Sequence, residues 1–266
     1  MFTYKGRAKR LDDIDLPRIG ERIGVGEDEI HAVLEVEAAG SGFDSQGRVK
    51  ALYEPHIAYR EASNLKDKTI LNRLVKAGLA YPAWKRDYPK DSYPRILEAH
   101  AIAGDLALEA TSWGLGQIMG FNHKAAGYAS AREMVEAFAD DEENHLDGMI
   151  NFIISRELDD EIRRHDWAGF ARGYNGSGYK ANKYDTKLAA AFAKWRKIKD
   201  TPWPPGAAAE PAQPAPAPEA PNPVASPETP PAATPAPAFR NDGKYETPPG
   251  FWSRMAEAIA LLWKGK

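Results

Sequence analysis

Through the first 200 residues, apolar positions recur mostly at helical spacing. In GEDEIHAVLEVEA, Ile30, Val33, Leu34 and Glu37 share one face at i, i+3, i+4 and i+7, which predicts a helix. Glu27, Asp28 and Glu29 suit its N-terminal end, and Gly40 and Gly42 suit its stop. TILNRLVKAGLA, ILEAHAIAGDLALEA, AREMVEAFADDEENHLDGMINFIISREL and YDTKLAAAFAKWRKI carry the same period and read as helices. RVKALYEPHIAYR alternates enough for a short strand, which Pro55 would end or confine to an edge. Gly-rich turns are expected at 40–47, 114–120 and 173–178, each beside polar or aromatic residues. Loops of that kind on a helical scaffold are where sites tend to be built. The sum is a mainly α domain with a small β element.

Beyond residue 200 the pattern stops. Of 21 prolines, 14 fall between Thr201 and Ala238. Pro lacks an amide hydrogen and Ala and Pro bury little surface, so this Pro/Ala-rich stretch builds no core and reads as an extended linker. The expected organisation is a domain at 1–200, a linker at 201–238 and a tail at 239–266. In the tail, FWSRMAEAIALLWKGK sets Phe251, Trp252, Met255, Ile259, Leu262 and Trp263 along one side of a C-terminal amphipathic helix. Its length, about 24 Å, falls short of the roughly 30 Å hydrocarbon core. Residues 250–266 are therefore expected to lie in a membrane surface, or to dock on the first domain or on another copy.

Composition narrows the chemistry. Net charge is −3, which argues against a globally basic nucleic-acid binder. The chain has 0 Cys, which excludes disulfides, thiolate metal sites and a catalytic thiol. Its 6 His show no HExxH or tight ligand spacing, so no metal site is expected, and no Gly-rich phosphate or dinucleotide loop implies a cofactor. The N-terminus has charge but no apolar core of a signal peptide. The chain is expected to be made in the cytoplasm and to reach any other compartment by a different route. Glu133–Asp147 holds seven carboxylates and no Lys or Arg; EF-hand spacing is absent, and the run reads as a solvated face. Residues 156–199 hold 11 Lys/Arg against 6 Asp/Glu, a region to meet an anionic polymer or an ordinary solvated face.

Four segments could carry chemistry. Glu37 ends an apolar helix in VLEVEAAGSGF. A carboxyl on an apolar face is desolvated, its pKa rises, and it can donate a proton near neutrality; the other reading is a helix-end Glu turned to solvent, which periodicity alone favours. Glu35 points the other way and reads as surface. Glu54, in ALYEPHIAYR, is either the second carboxylate of an acid/base pair or the ion-pair partner of Arg60 or Arg48. SWGLGQIMGFN combines Trp113, three glycines, Gln117, Met119 and Asn122: glycine allows close approach, Trp offers a flat face to a sugar ring, and the amides offer paired donors and acceptors. RGYNGSGYKANKY supplies Tyr174, Asn175 and Tyr179 in the same style.

VEAAGSGFD with RVKALYEPHIAYR, SWGLGQIMGFNH, and DWAGFARGYNGSGYKANKYDTKLAAAF together resemble the N-acetylmuramidases of bacteriophage and prophage endolysins, over residues 20–199. More coarsely, Glu … GLxQ … YNG is similar to goose-type lysozymes and lytic transglycosylases. The resemblance implies a lysozyme-like helical fold and no cofactor. The implied substrate is bacterial peptidoglycan, cut at the β-1,4 bond between N-acetylmuramic acid and N-acetylglucosamine, with lysis of the cell wall in the periplasm or outside the cell. It maps the catalytic acid onto Glu37 and sugar-cleft residues onto Gln117, Tyr174 and Asn175; it does not fix the second carboxylate. Ala38 and Ala39 stand where the family commonly has Ser. Two alternatives stay open: a lytic transglycosylase that leaves 1,6-anhydro ends, and a non-catalytic peptidoglycan-binding protein on the same fold.

Overall fold

The computed structural model describes residues 4–38, 40–85, 87–176, 178–199 and 201. Helices α1 (Asp15–Ile23) and α2 (Glu27–Glu37) lead to strand β1 (Ala51–Tyr53), followed by α3 (Pro55–Asn64), α4 (Thr69–Lys76), α5 (Tyr93–Ala103) and α6 (Leu106–Glu109). Strands β2 (Thr111–Trp113) and β3 (Ile118–Met119) come next, then α7 (Ala131–Asp140), α8 (Glu142–Ser155), α9 (Asp159–Arg163), α10 (Trp167–Asn175) and α11 (Tyr184–Trp195). The three strands form one antiparallel sheet in the order β1-β2-β3, with Leu52 opposite Ser112 and Ser112 opposite Met119. This is a mainly helical architecture with a small sheet.

The expected short strand is β1, and Pro55 ends it by opening α3 at a position where its missing N–H costs nothing. Two expected long helices are each broken. Residues 96–110 divide at Gly104, whose φ of +59° no helix continues through. Residues 131–158 divide at Asp141, which is extended, and its side chain accepts from the Glu143 amide to cap α8. The break has a tertiary cause. The N-terminal segment runs past this corner, where Ala8 and Lys9 amides donate to the carbonyls of Ala139 and Asp140, and the Glu142 amide donates to Lys9.

That segment and α1 also correct the solvated reading for residues 140–147 of the acidic run. Arg7 meets Asp140 at 2.6 Å, Lys9 meets Asp141 at 3.4 Å and Arg10 meets Glu142 at 2.8 Å. Arg18 meets Glu143 and Arg22 meets Asp147, each at 2.5 Å. Five of the seven carboxylates are the counter-face of the basic N-terminal segment and α1, while Glu133 and Glu136 remain exposed as expected.

Helix α8 runs through the core. Leu146, Met149, Ile150 and Ile153 are fully buried along it, and Gly148 admits the Phe138 ring, which a Cβ would meet at 3.0 Å. Trp113, Phe138, Phe170, Ile19, Ile30 and Leu108 are the large side chains of the same core. Among the described residues, no helix is long and apolar enough to cross a membrane. Within 201–238 only Thr201 is described, its amide donating to Glu27 Oε1 at 2.6 Å; the rest of the expected linker and the tail helix at 250–266 lie outside the described residues.

Candidate active site

Glu37 is the last residue of α2, and the packing of that helix sets where its carboxyl goes. The His31 ring stacks on Trp195 of α11 with centroids 3.8 Å apart. On the outward face, Glu35 accepts from Lys194 Nζ and Trp195 Nε1, each at 2.7 Å, as the surface reading of Glu35 expects. Helix α10 packs on α11 in turn, and its last turn carries Tyr174 and Asn175. The YNG segment is thus a helix end rather than the loop the glycine content suggested.

Asn175 Nδ2 donates to Glu37 Oε1 at 2.9 Å, which leaves Oε2 as the oxygen to carry the proton. Asn175 is fully buried, and its Oδ1 has no hydrogen-bond partner among the described residues. Burial pushes the Glu37 carboxyl up to about 8, against the smaller downward pull of the Asn175 hydrogen bond and the Lys187 ammonium. Its place at a helix C-terminus, the negative end of the dipole, works in the same upward direction. Yet Glu37 keeps part of its surface open to solvent. A carboxyl that is protonated at neutrality and still reachable is what a general acid requires. Tyr174 is buried beside it, and burial together with the Glu37 charge raises its phenol. It stacks on Phe170 at 5.3 Å and meets Phe152 edge-on at 5.8 Å. Tyr179 is also buried, with Arg172 and Lys180 each 6.0 Å from its ring centre.

The turn between β2 and β3 holds Gln117 in a left-handed conformation, φ +47°. Its Nε2 donates to the Gly114 carbonyl at 2.7 Å and its Oε1 accepts from Ser112 Oγ at 3.0 Å. So fixed, Gln117 lines a groove shared with Ser41, Lys50 and Tyr93. Trp113 and Met119 do not reach this surface. Both are fully buried, Trp113 Nε1 donates to the Leu108 carbonyl at 2.9 Å, and the Tyr4 ring, 5.7 Å away, takes the flat face a sugar was expected to use. In this structure they are core residues. The strand places Trp113 inward because its indole N–H finds a carbonyl there.

Glu54 stands just before α3, almost fully buried, and its side chain does not cap the helix. Its Oε2 accepts from the Tyr88 hydroxyl and lies 3.3 Å from His56 Nδ1. Arg60 and Arg48, its expected partners, pair instead with Glu61 and with Asp44. On Glu37 itself, the Asn175 amide and the Lys187 ammonium both favour the charged form.

Two residues that the sequence reading passed over fasten the segment that follows α2 and the β2–β3 turn to the start of α8. Glu142 Oε1 accepts from Ser41 Oγ at 3.0 Å and from the Gly42 amide at 2.5 Å, while its Oε2 accepts from Arg10 and the Leu11 amide. One turn on, His145 Nδ1 accepts from the Leu115 amide at 3.0 Å, and Nε2, 2.6 Å from the Phe138 carbonyl, carries the ring proton. Burial holds His145 down to about 4, so the ring is neutral and Nδ1 stays an acceptor. Gly42 and Gly114 are glycine because a Cβ would sit 2.2 Å and 2.7 Å from that ring. Gly42 is thus a contact, not the helix stop it was expected to be. The signal that could have found the pair is a Glu and a His three apart at the start of an otherwise apolar helix. Among the described residues, no cluster of His, Asp and Glu is arranged to hold a metal.

The model of the Muramidase family, N-acetylmuramidase, matches residues 27–196. Among solved structures, the crystal structure of Burkholderia AP3 phage endolysin is similar, with a TM-score of 0.66 and 37% sequence identity over 71% of this chain and 73% of that one. No curated protein matches the chain. The matched span holds Glu37, Gln117, Tyr174 and Asn175 together, and the chain belongs to the N-acetylmuramidase family.

Proposed function

We propose that this peptidoglycan hydrolase cleaves the β-1,4 bond between N-acetylmuramic acid and N-acetylglucosamine, with Glu37 as the proton donor. The observation that carries the reading is the Glu37 carboxyl: desolvated, held at one oxygen by Asn175, and partly open to solvent. Oε2 gives its proton to the glycosidic oxygen as the C1–O bond breaks, and the oxocarbenium-like centre is then captured from the other face. In hydrolysis, water adds to C1 and its proton returns to a carboxylate. Gln117 at the groove wall supports a role in holding the glycan, and Tyr174 and Asn175 support one in setting the acid.

A second reading is favoured by Glu54. Its carboxylate is engaged with Tyr88 and His56. A single acid that also takes back a proton fits intramolecular capture by the muramyl 6-hydroxyl, which leaves a 1,6-anhydro end. Digestion of purified peptidoglycan by wild type and Glu37→Gln, read by mass spectrometry, tests both. Reducing muropeptides released by wild type, and lost at least about a hundredfold in Glu37→Gln, are expected. Products lighter by one water establish the transglycosylase. A folded Glu37→Gln variant that cuts at the wild-type rate removes Glu37 from the mechanism.

A further inference from the structure

From Arg172 to Lys187, through the YNG end of α10 and the turn into α11, the chain carries four Lys/Arg against one Asp. Arg172, Lys180, Lys183 and Lys187 are exposed, and none of them forms an ion pair among the described residues. Asp185 accepts from the Thr186 amide at 2.9 Å instead. The neighbouring α9 behaves differently: Arg163 and Arg164 each pair with an Asp four residues earlier. The turn between α10 and α11 thus presents positive charge that the described residues leave unanswered.

Aromatic rings, not carboxylates, place the charged heads. The Arg172 guanidinium and the Lys180 ammonium each stand 6.0 Å from the centre of the Tyr179 ring. The Lys187 ammonium stands 5.3 Å from the centre of the Tyr184 ring, and the Tyr184 amide donates to the Tyr179 carbonyl at 3.1 Å. This patch adjoins the acid. Lys187 is close enough to Glu37 to favour its charged form, and Arg172 lies one turn before Asn175, whose side chain holds Glu37 at 2.9 Å. An unanswered Lys187 works against a proton donor. A negative group that pairs with it removes that pull and anchors its bearer beside the acid.

We propose that the α10–α11 turn binds the carboxylates of the peptide stem carried by the muramyl residue, with Lys187, Arg172 and Lys180 as its cations. Because Lys187 acts on Glu37 itself, the anion it meets belongs to the chain being cut rather than to a distant polymer. On peptidoglycan, the stem carboxylates are the negative groups tied to the glycan. The inference rests on the proposed glycan cleavage for its substrate and adds to it the recognition of charge that bare glycan lacks.

The test uses the full-length chain on native peptidoglycan and on peptidoglycan whose stem carboxylates have been capped as methylamides by carbodiimide coupling. The readout is the ratio of the two initial rates of muropeptide release at low wall concentration. Arg172→Gln, Lys180→Gln and Lys187→Gln are each expected to lower the ratio about twofold to fivefold, and Lys187→Arg to keep it. Lys197→Gln removes the same charge from an exposed position past the far end of α11 and is expected to leave the ratio unchanged. Titration of wild type with the isolated stem tripeptide, followed by NMR, is expected to shift residues 172–187, and the shifts should fade in about 1 M salt. A ratio unchanged in all three Gln variants overturns the proposal, as does a tripeptide that leaves 172–187 unmoved. So does a glycerol phosphate polymer that shifts those residues where the tripeptide does not, since the face then serves a phosphate-bearing wall polymer. Tripeptide shifts at 172–187 without cleavage of either wall support the binding surface and fail the proposed function instead.

Discussion

The chemistry of Glu37 is decided by what surrounds one oxygen pair. Its folded pKa, about 8, lies above the ordinary carboxylate value, so the folded state holds a proton that the unfolded chain releases above that ordinary value. Stability from this group is present at low pH and is lost as pH rises toward 8. Glu37→Gln removes the loss, and the variant is expected to melt higher than wild type, with the gap widening between about pH 5 and about pH 8 to roughly 2–4 kcal/mol. Calorimetry across that range checks it; a constant gap would mean an ordinary carboxyl. Activity follows the same proton, and kcat/KM is expected to decline above pH 8. His145 works with the opposite sign. Its folded pKa, about 4, is below the free value of 6.5, so its contribution is present above 6.5 and is lost as pH falls from there to 4. His145→Asn keeps an acceptor for Leu115 and cannot titrate. It is expected to be less stable at neutrality by about 1–3 kcal/mol and to lose less on acidification than wild type, as melting curves at several pH values would show.

At the scale of elements, α2 aims its acid only because α11 lies against it. Trp195 stacks on His31 and donates to Glu35, so Trp195→Ala is expected to cost about 2 kcal/mol and to let water reach Glu37. The alkaline limb of the activity profile should then move down in pH, a change that a loss of stability alone would not produce. Much of this level was legible beforehand. Ile30, Val33 and Leu34 marked the inner face of α2, and the apolar period of 184–198 marked α11. What escaped was set by distant neighbours. Asp141 reads as mid-helix until the N-terminal segment arrives to bond its corner, and Trp113 reads as a sugar platform until Tyr4 covers it. The Asn175 bond to Glu37 was equally hidden, since its two ends stand 138 positions apart, although the apolar face of α2 already made a raised pKa one of two readings.

For the molecule as a whole, the N-terminal segment acts as a tie across the α7–α8 corner rather than as a charged fringe. Five ion pairs join it and α1 to the acidic run, but pairs of this exposure are worth about 0–1 kcal/mol each. Raising salt to about 1 M is therefore expected to lower Tm by only a few degrees. Removing residues 1–10 takes away more than charge: the Tyr4 ring on Trp113, the Lys9 bonds to the corner, and the Arg10 contact that steadies Glu142. That truncation is expected to destabilise the domain by about 3 kcal/mol or more and to cut wall lysis beyond what its folded fraction explains. Turbidity of a wall suspension and melting of the same sample measure both.

The bond from Asn175 to Glu37, and that from Glu142 to Gly42, close spans of 138 and 100 positions. A growing polypeptide that has not yet emerged past Asn175 therefore carries an ordinary, ionised Glu37 in an unfastened loop. The surroundings that make Glu37 a proton donor in the proposed mechanism are thus completed only when the last helices of the domain have been made and have folded.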